Sequence, residues 1–428
     1  MSDSANHIFG CAISWTLLLL AGVIATRIAR GILPPSIPDI PIYLITGMLF
    51  GMNGLTNYFT GGSIPVEARW GITIIQFAGL FLLIFSSCAE LQFTNLRQYA
   101  VEVTLLVGAS LMAMFVALLT VPLLSEIAPE PQFVDVSVNV LQAHFLALSL
   151  GVTVTSLPFL TKIFINTGLL RTPLANSVLV SACFVDIFVW AVFAVALTIH
   201  AGGASDFRSA ALQVCQTIAI LSAILAAGMM ATRLIIRLLP GGLFAGVTAI
   251  LVVSTVVVSL AAVSGLGTLL GIVVSGLAIG SMRSRLGIAL ALVQPLSARV
   301  GAPLYFTCVG FGMSIDSAVG FSMVVAFFVW SSVLKIGSVY LFASLIRRPG
   351  LNSLDFAIAM NTRGGPGLVL AAAAYSSGIV GPTGFVALVT ASILTALLTE
   401  IYLKHAAPRI LAENPIDAAD GNPSLVDR

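Results

Sequence analysis

Apolar residues run along this chain in long blocks, cut at intervals by short clusters of charge, proline and glycine. A helix that crosses a bilayer needs about 20 largely apolar residues. Thirteen blocks reach or approach that length: 8–28, 39–57, 70–90, 99–124, 139–168, 174–200, 210–236, 243–262, 264–282, 300–316, 319–346, 353–378 and 383–404, here spans 1 to 13. They are continuous, not alternating at every second residue, which argues against the ~10-residue strands of an outer-membrane barrel. The pattern predicts an all-α polytopic membrane protein. A single membrane domain covers residues 1–404, and residues 405–428 form a short tail. Span 1 is expected to remain as a helix and not to act as a cleavable signal. No Lys or Arg precedes it, Arg27 and Arg30 follow it, and no clear small-residue cleavage site is present.

Two spans carry internal breaks. Span 5 contains Gly151-Val152-Thr153-Val154-Thr155-Ser156-Leu157-Pro158, and span 12 contains Thr362-Arg363-Gly364-Gly365-Pro366-Gly367. Proline removes a backbone donor and clashes with the preceding turn, and glycine weakens a helix interior. Both spans are therefore predicted to be interrupted, with Pro158, Gly364, Gly365 and Pro366 as the interrupting residues. The breaks lie seven spans apart, and so do two further likenesses. "ITGMLFG" (Ile45–Gly51) in span 2 is matched by "VSGLAIG" (Val274–Gly280) in span 9. "LFLLIFSSCAEL" in span 3 is more loosely matched by "LYFTCVGFGMSI" in span 10. An odd offset reverses orientation in the membrane, so spans 2–6 and 9–13 read as an inverted repeat. Such repeats place ligand sites near the bilayer midplane, on broken helices. The hydroxyls of Thr153, Thr155 and Ser156 and the carbonyls freed at the break are oxygen ligands suited to a hard cation. The bland alternative is that the hydroxyls bond back to their own helix.

Charge placement sets the orientation. The loops after odd-numbered spans, their flanks and the C-terminal tail hold 15 of the 19 Lys and Arg, while the opposite side holds only Arg69 and Arg208. The positive-inside rule then puts the N-terminus outside and the C-terminus in the cytoplasm. Two basic residues remain, Lys335 in the middle of span 11 and Arg363 in the middle of span 12. Asp186 is the one acid at the centre of a span. Charge at that depth costs about 3 kcal/mol, so such residues mark ion paths, proton relays or ion pairs. Asp186 could hold an ion or lock helices together, and it is the one counter-charge within reach of Lys335. Arg363 could handle an ion or neutralise the carbonyl end of the broken span 12. Glu90 and Glu102 read as solvated groups at span ends. His144 and His200, near the outer ends of spans 5 and 6, read as packing residues.

Composition narrows the classes. Of 428 residues, 58% are hydrophobic and 8% charged, with mean hydropathy +1.08, against about 25% charged in soluble domains. A soluble enzyme, a disordered chain and a nucleic-acid binder are excluded. All five cysteines lie in apolar stretches without metal spacing, so they read as core residues. No cofactor or resident metal site is indicated. No catalytic triad or phosphate loop stands in any loop long enough to hold one.

The residues resemble the second family of monovalent cation:proton antiporters, within the sodium/proton exchanger superfamily. The likeness runs from "LPPSIPDIPIYLITGMLFG" to "LTALLTEIYL". It is most specific in "TSLPFLTKIFINTGLLRTPLANSVLVSACFVDIFVW" (155–190), "VLKIGSVYLFASLI" (333–346) and "MNTRGGPGLVLA" (360–371). The resemblance implies that the breaks of spans 5 and 12 cross. It places the carboxylate of Asp186 beside that crossing as the ion or proton carrier, with Thr155, Ser156 and Thr153 lining the site and Lys335 and Arg363 balancing charge. It implies a core of spans 4–6 and 11–13 moving against a panel of the others, commonly in a homodimer. The expected activity is secondary antiport of Na⁺ or K⁺ against H⁺ across a bacterial inner membrane. One departure stands out: the family has a polar or acidic residue before the aspartate, and here it is Val185. A transporter of the same fold for an organic ion or metabolite is therefore the alternative.

Overall fold

The computed structural model describes residues 66–90, 99–127, 137–170, 172–200, 207–238, 242–264, 268–311, 320–346 and 350–413, with isolated positions between 24 and 49. The described residues form fourteen α-helices and no strand: α1 (Val66–Glu90), α2 (Ala100–Ile127), α3 (Val138–Thr153), α4 (Leu157–Asn166), α5 (Pro173–His200), α6 (Phe207–Leu238), α7 (Leu243–Val263), α8 (Thr268–Gly280), α9 (Arg283–Leu296), α10 (Ala302–Phe311), α11 (Phe321–Ala343), α12 (Ser353–Met360), α13 (Gly364–Ser376) and α14 (Pro382–Glu413). Six of these are long and apolar enough to cross a membrane. Most of spans 1 and 2, with three of the seven residues of Ile45–Gly51, lies outside the described residues.

The helices pack as two groups. α2, α3, α4, α5, α11, α12, α13 and α14 contact one another, and α1, α6, α7, α8, α9 and α10 form the second group. α5 meets α6 and α8, and α4 meets α1, across the boundary. These are the core and panel expected from the resemblance. The repeat motif in span 9 has a packing role: a Cβ on Gly276 would lie 2.7 Å from Cys88 Cβ, and one on Gly280 2.7 Å from the Ala89 carbonyl oxygen. Only glycine lets α8 approach α1 this closely, the usual logic of small residues between membrane helices. The core is filled by Phe85, Leu106, Leu150, Leu160, Phe164, Phe327 and Phe356, all fully buried. The outer face stays apolar, with Leu119, Phe244 and Phe321 more than half exposed, as a surface facing hydrocarbon requires.

Four features depart from the sequence reading. α9 was not predicted. It starts at Arg283, where the charged Arg-Ser-Arg reads as loop, and continues through a π-helical turn at Ser297–Gly301 directly into α10. Arg299 therefore sits inside a helix, exposed. Span 13 continues past residue 404 to Glu413, despite Pro408. Glu102 is buried at 3% exposure instead of solvated. Cys88, Cys183 and Cys308 are buried as expected, but Cys215 is exposed.

Candidate functional site

Spans 5 and 12 are each broken where glycine, proline and hydroxyl residues cluster. α3 ends at Thr153, and Ser156 caps α4 by accepting from the Phe159 amide at 3.4 Å. Pro158 falls in the first turn of α4, where the missing amide proton is not needed. α12 ends at Met360, and α13 begins at Gly364, with Pro366 again in the first turn. The two breaks meet. The Ser156 amide donates to the Thr362 carbonyl at 2.6 Å, and the Thr155 hydroxyl donates to the Met360 carbonyl at 2.9 Å.

Gly364 is required at this crossing for two reasons. Its φ is +39°, and a Cβ would lie 2.4 Å from Phe159 Cδ2 and 2.7 Å from Ser156 Oγ. Left-handed backbone costs about 1–2 kcal/mol in a residue with a side chain, and overpacking adds about 1–3. Gly364→Ala is expected to destabilise by about 2–5 kcal/mol, read as a lowered unfolding temperature in detergent, and to cripple transport.

Two buried cations serve the broken helices. Lys335, fully buried on α11, donates from Nζ to the Thr153 carbonyl at 2.6 Å and to Ser110 Oγ at 2.8 Å. Its ammonium thus sits at the negative end of α3, where the macrodipole favours a cation. Arg363, 1% exposed, donates from Nη1 to Ser331 Oγ at 2.7 Å and from Nη2 to Asn361 Oδ1 at 3.2 Å. Its Nε has no partner among the described residues. The Arg363 guanidinium donates to no carbonyl at the end of α12 among the described residues. The Thr399 and Thr155 hydroxyls donate there, to the carbonyls of Ile358 (3.0 Å) and Met360.

Asp186 lies on α5, which packs against α3, α4 and α12 on the core side and against α6 and α8 on the panel side. It is 7% exposed, and its Oδ1 has no hydrogen-bond partner among the described residues. No ion pair joins it to Lys335 among those residues, although each feels the other's charge. The expected Asp186–Lys335 pairing is thus corrected: a backbone carbonyl and a hydroxyl hold the lysine. Thr153, Thr155, Ser156, Gly364, Lys335 and Arg363 gather around the crossing, and Asp186 stands on the neighbouring helix. The Thr153 hydroxyl bonds back to Ser149 O at 3.0 Å, so the carbonyl of that residue faces the lysine and its side chain serves its own helix.

Sequence reasoning missed Ser110, Ser331, Asn361, Thr395 and Thr399. Thr395 and Thr399 gave a signal, two hydroxyls one turn apart in an apolar span. Thr362 was inside the quoted motif but not singled out; its hydroxyl is buried and unpartnered among the described residues.

No curated protein matches this chain. Among solved structures, the sodium proton antiporter MjNhaP1 from Methanocaldococcus jannaschii at pH 8 is similar, with TM-score 0.65 and 15% identity over 95% of this chain and 99% of that one. At that identity the likeness speaks for the fold. The transmembrane sodium/hydrogen exchanger family matches residues 15–406, nearly the whole chain, and it does not favour the organic-ion alternative. The protein therefore belongs to the sodium/hydrogen exchanger family, as a multi-pass secondary transporter that exchanges a monovalent cation for protons and not as an enzyme.

Proposed function

We propose that Asp186 is the exchange site, taking either one proton or one Na⁺ or K⁺. One observation carries this reading: a buried carboxylate oxygen with no partner among the described residues, on the helix that packs against both broken spans. A buried polar atom without a partner costs about 1–3 kcal/mol, and a charged one more. A bound proton or cation removes that cost. Thr155 and Ser156 lie at the crossing to complete the cation's oxygen shell, with the nearby Thr153 carbonyl, while Lys335 and Arg363 balance charge. Alternating access follows from the two groups, α2–α5 with α11–α14 moving against α1 and α6–α10. The loaded carboxylate is then exposed to one side at a time.

The test uses purified protein in liposomes with an imposed pH gradient and a trapped pH dye. Adding Na⁺, K⁺ or Li⁺ should dissipate the gradient, and a response to none of them would sink the reading.

We further place the chain in the lipid bilayer of a bacterial inner membrane as a homodimer, with the N-terminus outside and the C-terminal tail cytoplasmic. The 15-to-2 split of basic residues supports the orientation, and the family resemblance supports the dimer. In a cysteine-free background, a cysteine at position 130 should react with an impermeant reagent from outside, and one at position 237 only from inside. The reverse pattern would overturn the orientation.

A further inference from the structure

One face of α14 carries Thr395, Thr399, Tyr402 and Arg409 at helical spacing, and all four bond to the segment 355–363. Thr395 Oγ1 accepts from the Arg363 amide at 3.3 Å. Thr399 Oγ1 donates to the Ile358 carbonyl at 3.0 Å. Tyr402 OH donates to Asp355 Oδ1 at 2.8 Å, and Arg409 Nη2 donates to the same oxygen at 2.7 Å. Asp355 is 2% exposed in the first turn of α12, and the exchange reading makes no use of it.

α12 has only 8 residues, about 12 Å of helix. A helix this short does not hold itself in place, so its partners fix its position. The Asp355 end is fixed by Tyr402 and Arg409. The opposite end delivers the Met360 and Thr362 carbonyls to the crossing, where Thr155 and Ser156 take them. Any axial shift at Asp355 is therefore passed along a single rigid turn-and-a-half to the crossing.

We propose that Asp355, Tyr402 and Arg409 form a positioning cluster for the cation site: an ion pair between α12 and α14 sets where the C-terminal end of α12 stands at the crossing. The inference rests on the crossing and Asp186 being that site. A cluster that merely held the fold together would, when broken, lower the amount of active protein and hence the maximal rate. A positioning cluster changes the half-saturating cation concentration.

The test measures exchange against cation concentration in proteoliposomes for wild type, Arg409→Gln, Arg409→Lys, Asp355→Asn and Tyr402→Phe. Arg409→Gln is expected to raise the half-saturating concentration about three- to tenfold, with the maximal rate kept within about twofold. Arg409→Lys should stay within about twofold of wild type, because only Nη2 reaches the carboxylate and an ammonium can replace a single donor. Tyr402→Phe should show a smaller rise than Arg409→Gln. A fall in maximal rate at unchanged half-saturation, or equal behaviour of the glutamine and lysine variants, would overturn the proposal. Should Asp355→Asn not fold, Arg409→Gln decides, since Arg409 is 39% exposed and its loss opens no core cavity.

Asp186→Asn in the same liposomes separates the two readings. If exchange survives there, the site assignment fails. The cluster is then judged by amide hydrogen exchange over residues 355–363. Faster exchange in Arg409→Gln supports control of α12, and unchanged exchange rejects it.

Discussion

Asp186→Asn is expected to give a folded, membrane-inserted protein whose cation/proton exchange falls at least about a hundredfold, the scale of losing a group that carries the transferred proton. An amide has nearly the shape of the carboxyl, so packing on α5 is kept. It binds no exchangeable proton at neutral pH and offers a cation no negative charge. Stability should not suffer, because Asp186 Oδ1 has no protein partner to lose among the described residues and the charge itself is costly at this depth, by about 3 kcal/mol. The unfolding temperature in detergent should equal or exceed that of wild type, while the pH-dye response to Na⁺ and K⁺ disappears. Stability unchanged with exchange lost is the signature of a transport group. Stability lost with exchange retained would make Asp186 a structural residue and remove it from the mechanism.

The parts of this site visible in the sequence are those that break a pattern. A carboxylate, an ammonium and a guanidinium interrupt apolar runs, so Asp186, Lys335 and Arg363 stand out. Glycine and proline interrupt helical periodicity, so both breaks could be placed within a few residues of Val154–Ser156 and Asn361–Arg363. The groups that hold the Lys335 ammonium left no trace. Lys335 is held by the Thr153 carbonyl, a backbone group that any residue would carry. It is also held by Ser110, whose hydroxyl bonds back to Leu106 O at 2.9 Å and so fits unremarked in an apolar helix. Asp355 lies near the start of span 12, where an acid carries no signal of burial. Its burial follows from α14 running on to Glu413, where Lys404, Pro408 and Arg409 had seemed to end the span. α9 was missed for the same reason: arginines at a helix start look like the end of an apolar block. Hydropathy marks where a chain can enter lipid, and a helix can extend well beyond that point.

Transport is expected to be electroneutral, one cation for one proton. Val185 offers no second titratable group beside Asp186, so the site can exchange a single positive charge for another. Lys335 is the residue that could spoil this balance, by releasing its own proton when a cation binds. Its setting opposes that. Nζ donates to the Thr153 carbonyl and Ser110 Oγ, at the end of α3 whose dipole attracts a cation, and neither partner changes charge during the cycle. Lys335 is therefore expected to release no proton when a cation replaces the proton on Asp186. A potential of 100 mV acts on one charge with about 2.3 kcal/mol, equivalent to about a fifty-fold change in the end-point cation ratio if one net charge crosses per cycle. Proteoliposomes clamped at different potentials should instead reach the same end point within about twofold, a small fraction of that. Lys335→Met sharpens the test. It leaves the buried Thr153 carbonyl without its donor, costing about 1–3 kcal/mol, so the rate should fall about tenfold or more while the end point stays independent of potential. A wild type that responds to potential, together with a methionine variant that does not, would show that the lysine proton is transported and that one carboxylate is only half of the exchange site.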